Sequence, residues 1–154
     1  GGDEADPSIN EKFDHKLKFL EEMKEISAVT SAGQPSILVG DLNIAPLPED
    51  VWSHKQLLKV VSHTPVETAL LDAVRDIGDW RDAVREHAGP QDIIFSWWSY
   101  RSKDWQASNR GRRLDHVWNA AALMEKVTDV TVLTEARGWE KPSDHVPIIV
   151  DYAV

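Results

Sequence analysis

The chain has 154 residues, 42% apolar and 28% charged, with 17 basic against 26 acidic side chains and a formal charge of −9. That length suits one domain with a sizeable core and leaves little room for two; seven tryptophans and several aliphatic runs argue against disorder. Zero cysteines exclude disulfides, thiol catalysis and cysteine-held metal, no apolar run approaches the ~20 residues of a membrane helix, and no signal-peptide pattern opens the chain.

No membrane partner and a cytoplasmic location are therefore expected. The acidic balance also argues against a uniformly basic nucleic-acid binder, although it leaves room for a local basic patch. The first residues, Gly1-Gly2-Asp3-Glu4, carry no initiator methionine.

In chain order, Ser8-Ile9-Asn10-Glu11 has the form of a capping box, with Ser8 as the cap. Ile9, Phe13, Leu17, Leu20 and Met23 then recur at three- and four-residue steps, which predicts an amphipathic helix over 9–28. Lys12, Lys16 and Lys18 fall mostly on its solvent side, and Gly33 and Pro35 lie beyond its end. Ser36 to Gly40 is a short aliphatic run bounded by glycine and proline, the pattern of a buried strand. Thr64-Pro65-Val66-Glu67 starts a second helix, with Thr64 capping, proline at its first position and Gly78 after its end. A further helical turn or two is expected over 82–87. Strands are expected at 95–98, 113–118, 127–133 and 146–152. Helices mixed with strands point to a layered α/β fold.

Three segments carry candidate chemistry. In Gly40-Asp41-Leu42-Asn43, Asp41 and Asn43 share one face as the strand ends, a plausible polar site; the same residues suit a plain turn. In Arg112-Arg113-Leu114-Asp115-His116, an acid inside an apolar strand needs a partner. A salt bridge to Arg113 or Arg112 is the bland alternative, and His116 is expected to be half-exposed. Asp144 and His145 precede the last strand, where Pro142 and Pro147 make the approach irregular; an acid used for a turn and a surface histidine are the alternative there.

Together these segments offer oxygen and imidazole groups without sulfur, the donor set of a hard divalent cation such as Mg²⁺. A carboxylate off the metal can orient His145 through one ring nitrogen and leave the other for a phosphate. Asp41 can draw a proton from water while Asn43 fixes that water or the scissile oxygen. From Arg101 to Arg113 the chain also carries Arg101, Lys103, Arg110, Arg112 and Arg113 against Asp104 alone, with Trp97, Trp98, Tyr100 and Trp105 interleaved. Such a groove suits sugar, base and phosphate, as in DNA; a solvated loop beside core aromatics has the same composition.

The segments Gly40 to Pro46, Phe95 to Arg101, Asn109 to Asp115 and Lys141 to Pro147, in that order, resemble exonuclease III of the endonuclease/exonuclease/phosphatase superfamily. Ser62 to Glu67 also resembles a segment of its bacterial members. The resemblance implies a four-layer α/β sandwich, of which residues 1–154 are similar to the carboxyl-terminal portion, with a mixed, mainly antiparallel sheet plus helices. It further implies Mg²⁺ or Mn²⁺ dependence and action on duplex DNA: cleavage at abasic sites, 3′–5′ exonuclease and 3′-phosphatase activity. By motif, Asp41 resembles the base or water-orienting acid and Asn43 its phosphate-contacting neighbour. Asp115 resembles the acid supporting the histidine, and His145 the phosphate-contacting imidazole. Asp144 looks like a metal-side carboxylate, with Asp41 and Asn43 beside the same cation. Phe95, Trp97 and Leu114 resemble residues around the abasic-sugar pocket, and from the basic cluster Arg101, Arg110, Arg112 and Arg113 are the candidate DNA-facing cations. Arg112 stands where some relatives carry a bulky apolar residue.

The first residues resemble the linker entering the family's second half, and the family's earlier asparagine, metal-binding glutamate and tyrosine have no counterpart in this sequence. An uncovered inner sheet face is therefore expected, with association through self-pairing or with an amino-terminal portion, and weak turnover by the chain alone. The alternatives are a phosphoesterase acting on RNA, phospholipid or inositol phosphate, or a non-catalytic binding and assembly portion.

Overall fold

A computed structural model describes residues 4–30 and 34–153. The linker-like opening at Gly1, Gly2 and Asp3 and the helix stop at Gly33 lie outside the described residues. The elements are α1 (Glu11–Thr30), β1 (Ile37–Asp41), α2 (His54–Leu57), α3 (Pro65–Ile77), β2 (Arg81–Asp82), α4 (Ala83–Ala88), β3 (Trp97–Trp98), α5 (Trp105–Ser108), β4 (Gly111–Arg112), β5 (Asp115–Asn119), α6 (Ala121–Met124), β6 (Val127–Val132) and β7 (Ile148–Tyr152). No described helix is long and apolar enough to cross a membrane.

The α1 helix starts two residues later than the apolar stripe suggests, because its cap is Asn10 and not Ser8. The Asn10 side-chain oxygen accepts from the backbone N–H groups of Lys12 and Phe13, each at 3.1 Å. Ser8 is instead engaged by Asp6, which accepts from both its backbone N–H and its hydroxyl. Ile9 consequently lies outside the helix and is 71% exposed. The Thr64 cap of α3 forms as expected: its hydroxyl oxygen accepts from the Glu67 N–H, and Pro65 occupies the first turn.

Leu20 and Met23 of α1, Leu71 and Val74 of α3, and Trp118 of β5 form one core cluster, with Leu38 of β1 packed against it. Fully burying side chains of this size stabilises by about 1.5–3 kcal/mol each, so α1 and α3 are clamped to one face of the sheet. Three strands lie in the order β1-β5-β2, all pairs antiparallel, while β3-β4 and β6-β7 form two-stranded ladders, also antiparallel.

The expectation of a buried first strand is corrected on one face. Side chains alternate across a strand, so Leu38 points to the helices while Ile37 and Val39 point the other way, 47% and 66% exposed. Val39 stands opposite Val117 in the ladder, so the open face is apolar across both strands. The same register sets Asp41 directly opposite Asp115 at the end of that face.

Candidate active site

Like charges placed directly across a ladder destabilise it, yet Asp41 and Asp115 are such a pair. What sits between them is His145, brought there by a bridge between its backbone and that of Trp97. His145 Nδ1–H donates to Asp115 Oδ2 at 2.9 Å, and its Nε2 faces Asp41 Oδ2 at 3.6 Å. The hydrogen bond to Asp115 raises the imidazole pKa against the effect of burial, and the charges of Asp115, Asp41 and Asp144 act in the same direction. Burial pushes the Asp41 carboxyl up; His145 opposes that and Asp115 reinforces it. The site thus joins an imidazole that favours its charged form to a carboxyl more basic than usual.

Asn43 occupies the left-handed region at φ +52°, which asparagine tolerates better than most residues. Its backbone N–H donates to Asp41 Oδ1 at 2.9 Å and its side-chain amide to Oδ2 at 2.7 Å, fixing the carboxylate as the strand turns away. Asp115 is fixed by Ser96, wholly buried, whose hydroxyl donates to Asp115 Oδ2 at 2.6 Å and accepts from the N–H groups of Leu114 and Asp115. Asp144 lies at the rim, its Oδ2 accepting from Trp97 Nε1 at 3.0 Å. Ligand atoms of Asp41, Asp115 and His145 lie within 4.8 Å of one another; Asp144 is not in that group. Oxygen donors without sulfur fit a hard divalent cation in kind, since such ions take one or two carboxylates and keep water for their remaining positions.

Two pockets meet at Asn43 and Lys16. One, of about 350 Å³, is lined by Lys16, Asn43, Trp97, Arg101, Arg112 and Leu114 among others. The other, of about 320 Å³, runs along α1 past Lys12, His15 and Phe19 to Asp41.

Several residues take places that the sequence pattern does not give. Arg113, expected to face DNA, has a fully buried side chain paired with Asp50 and Asp82, so it is corrected to a core residue. Burial disfavours its charge, yet the two carboxylates outweigh that and raise its pKa. His116, expected half-exposed, is 1% exposed; its Nε2–H donates to the Ile44 carbonyl, and burial lowers its pKa. Phe95 is buried beneath Gly111, where a Cβ would come within 2.4 Å of its ring, so it supports the ladder from the core. Arg110 is exposed and lies over the Trp52 ring at 4.7 Å.

Sequence reasoning misses Lys16 and Glu67. Lys16, on the side of α1 that the stripe assigns to solvent, has Nζ at 2.6 Å from both Glu67 Oε1 and the Asn43 carbonyl. Glu67 is wholly buried and also accepts from the backbone N–H groups of Ser62 and Thr64 and the Thr64 hydroxyl. The capping pattern does mark Glu67; nothing local marks its second role of holding a lysine beside the site.

This fold is that of a phosphoester-hydrolysing family. The chain belongs to the endonuclease/exonuclease/phosphatase family, whose model matches residues 17–145. It is 32% identical over 148 residues to exodeoxyribonuclease III of Haemophilus influenzae, covering 92% of this chain and 55% of that protein. Among solved structures it is similar to an AP endonuclease from Archaeoglobus fulgidus, with a TM-score of 0.88, 27% identity and coverage of 94% and 56%. It is also similar to the 3′ phosphatase NExo from Neisseria bound to product DNA hairpin, with a TM-score of 0.86, 26% identity and the same coverage. The chain spans about half the length of the curated relatives it matches.

Proposed function

We propose that this chain supplies hydrolytic residues of a divalent-metal-dependent DNA-repair nuclease of the exodeoxyribonuclease III type, working in the cytoplasm. Residues 1–154 act as the carboxyl-terminal portion of a single endonuclease/exonuclease/phosphatase domain. Duplex DNA is the substrate, with abasic-site endonuclease, 3′–5′ exonuclease and 3′-phosphatase activities. The observation that carries this assignment is the packing of Asp41, Asp115 and His145 within 4.8 Å of one another, with Asp41 lining a pocket that also holds Lys12 and Lys16.

Asp41, with its raised pKa, takes the proton of the attacking water. That water's oxygen bonds to phosphorus as the ester oxygen departs. Asn43 holds Asp41 in place and presents its amide to the phosphate. Asp115 fixes the imidazole through Nδ1, so that Nε2–H is aimed at phosphate oxygens gaining negative charge. Asp41, Asn43 and Asp144 are the residues proposed to hold Mg²⁺, or Mn²⁺ in its place. When bound, the cation supplies Lewis acidity and neutralises phosphate charge. Trp97 and Leu114 face the sugar, while Arg101, Arg110 and Arg112 provide cations along the strand. The open apolar face at Ile37 and Val39 supports association with an amino-terminal portion or a second copy.

The test is Mg²⁺-dependent cleavage of a duplex holding one abasic site, beside an intact duplex and a small phosphate ester. Cleavage of the abasic strand that falls at least about 100-fold in Asp41→Ala and His145→Ala is expected. Turnover of the small ester alone would remove DNA as the substrate. Salt-sensitive DNA binding without turnover would leave only a binding role.

A further inference from the structure

Among the described residues no carboxylate neutralises Arg112 by direct contact. Its Nη1 donates to the Val61 carbonyl at 3.1 Å and the Ser62 hydroxyl at 2.6 Å, and its guanidinium lies over the Trp97 ring at 5.1 Å. Its Nε is buried with no hydrogen-bond partner. Among the described residues the acid that acts on it is Glu67, which is already engaged by Lys16 at 2.6 Å. A half-buried guanidinium in this state carries a desolvation cost that a bound anion relieves. Burial also lowers its pKa, a second sign that the charge is poorly compensated.

Arg112 lines the same pocket as Lys16, Asn43, Arg101, Trp97 and Leu114. A neutral sugar needs only the apolar surfaces. Lys16 already has Glu67 as its counter-charge, so the cation left for an anion is Arg112, and the reacting phosphate is assigned above to Asn43 and His145.

We propose that the pocket beside Asn43 is a second phosphate subsite, in which Arg112 receives a phosphate one sugar away from the reacting one. The proposal rests on the phosphodiesterase assignment above and sharpens it. The preferred occupant is a deoxynucleotide phosphorylated on both its 3′ and 5′ oxygens, its sugar lying against Trp97 and Leu114. Arg112 thereby selects phosphate-flanked sugars over ends that carry a free hydroxyl. An arginine suits this role because its fork of donors matches a phosphate in a way that a point charge does not.

The experiment titrates the protein with thymidine 3′,5′-bisphosphate, thymidine 5′-monophosphate and thymidine 3′-monophosphate by calorimetry, in Ca²⁺ buffer so that a hard cation is available. The bisphosphate is expected to bind about 10-fold tighter than either monophosphate, the scale of one added charge-assisted hydrogen bond. In Arg112→Leu that ratio should collapse to about 1–2, and in Arg112→Lys it should fall only in part. Because Arg112 also bonds Val61 and Ser62, the wild-type protein gives an independent readout. The bisphosphate, and not the 5′-monophosphate, should shift the Arg112 Nε–Hε resonance. Monophosphate binding with no bisphosphate preference overturns this proposal alone, as does a preference that survives in Arg112→Leu. No binding of any of the three overturns the phosphodiesterase assignment and this proposal with it.

Discussion

Replacing Arg113 by methionine separates a core role from a DNA-contacting one. The wild-type guanidinium donates to Asp50 Oδ1 at 2.7 Å, Asp50 Oδ2 at 2.9 Å and Asp82 Oδ2 at 2.7 Å, with no exposed side-chain surface on Arg113 or Asp50. Methionine fills much of the volume but leaves two buried carboxylates short of a cation. Asp50 keeps Arg85 at 2.5 Å, and among the described residues Asp82 keeps the Arg85 backbone N–H alone. Removing one partner from a buried ion pair costs about 3–5 kcal/mol, and the surviving Arg85 pairing favours the lower end. At about 2–4 °C per kcal/mol for a domain of this size, Tm should fall by roughly 6–20 °C. The assay is calorimetric or urea unfolding, paired with DNA binding over a range of salt at a temperature where the variant stays folded. Deleting one cation that pairs with a phosphate lowers the salt slope by about 0.9. Arg113→Met should leave that slope unchanged, whereas Arg101→Gln should reduce it. A variant as stable as wild type with a reduced slope would refute the core assignment.

Other expectations follow from the same geometry. His116 and His63 have pKa values lowered by burial from the ordinary 6.5, so below that pH the unfolded chain takes up protons that the folded one resists. These two histidines should lower stability as pH drops below 6.5, by at most about 1.4 kcal/mol each per pH unit, against the opposite contribution of His145, whose pKa is raised; urea midpoints at pH 7.5 and 5.5 measure the sum, and His116→Gln should shift it toward greater stability at the lower pH. Glu67→Gln leaves Lys16 without its counter-charge and should cost about 3 kcal/mol. Amide exchange at Ser62 and Thr64 should then speed up, and unchanged protection there would contradict the clamp. The open face of Ile37 and Val39 should drive association at micromolar concentration, with Val39→Asp reducing it; a monodisperse wild-type monomer by light scattering would contradict this.

The α3 cap was legible because Thr64, Pro65 and Glu67 act within one turn. The polar end of β1 was legible for a related reason: Asp41 and Asn43 are two apart, and Asx geometry is local. Ser8 misleads because Asp6 takes its N–H and hydroxyl while Asn10 accepts from the Lys12 and Phe13 N–H groups, and single-residue preferences do not rank these choices. The partners of Arg113 were illegible for a different reason, since Asp50 and Asp82 lie 63 and 31 residues away. Alternation identified Asp115 as needing a partner, but only the chain path brings in His145, 30 residues later. Lys16 looked like an ordinary helix-surface cation until α3 delivered Glu67, 51 residues on, beside it. Ile37 and Val39 alone do not reveal the open face of β1, because an aliphatic run reads alike whether its far side is covered or bare; the uncovered face is expected only through the family resemblance.

Paramagnetic broadening by Mn²⁺ in ¹⁵N-labelled protein tests most directly whether three distant segments build one cation and phosphate centre. Amide signals of Asp41, Asn43, Asp115 and His145 should fade together at the lowest Mn²⁺ additions, and Asp41→Ala should abolish that pattern. Early loss at the acidic surface around Asp72 and Asp76, with those four signals still sharp, would contradict it.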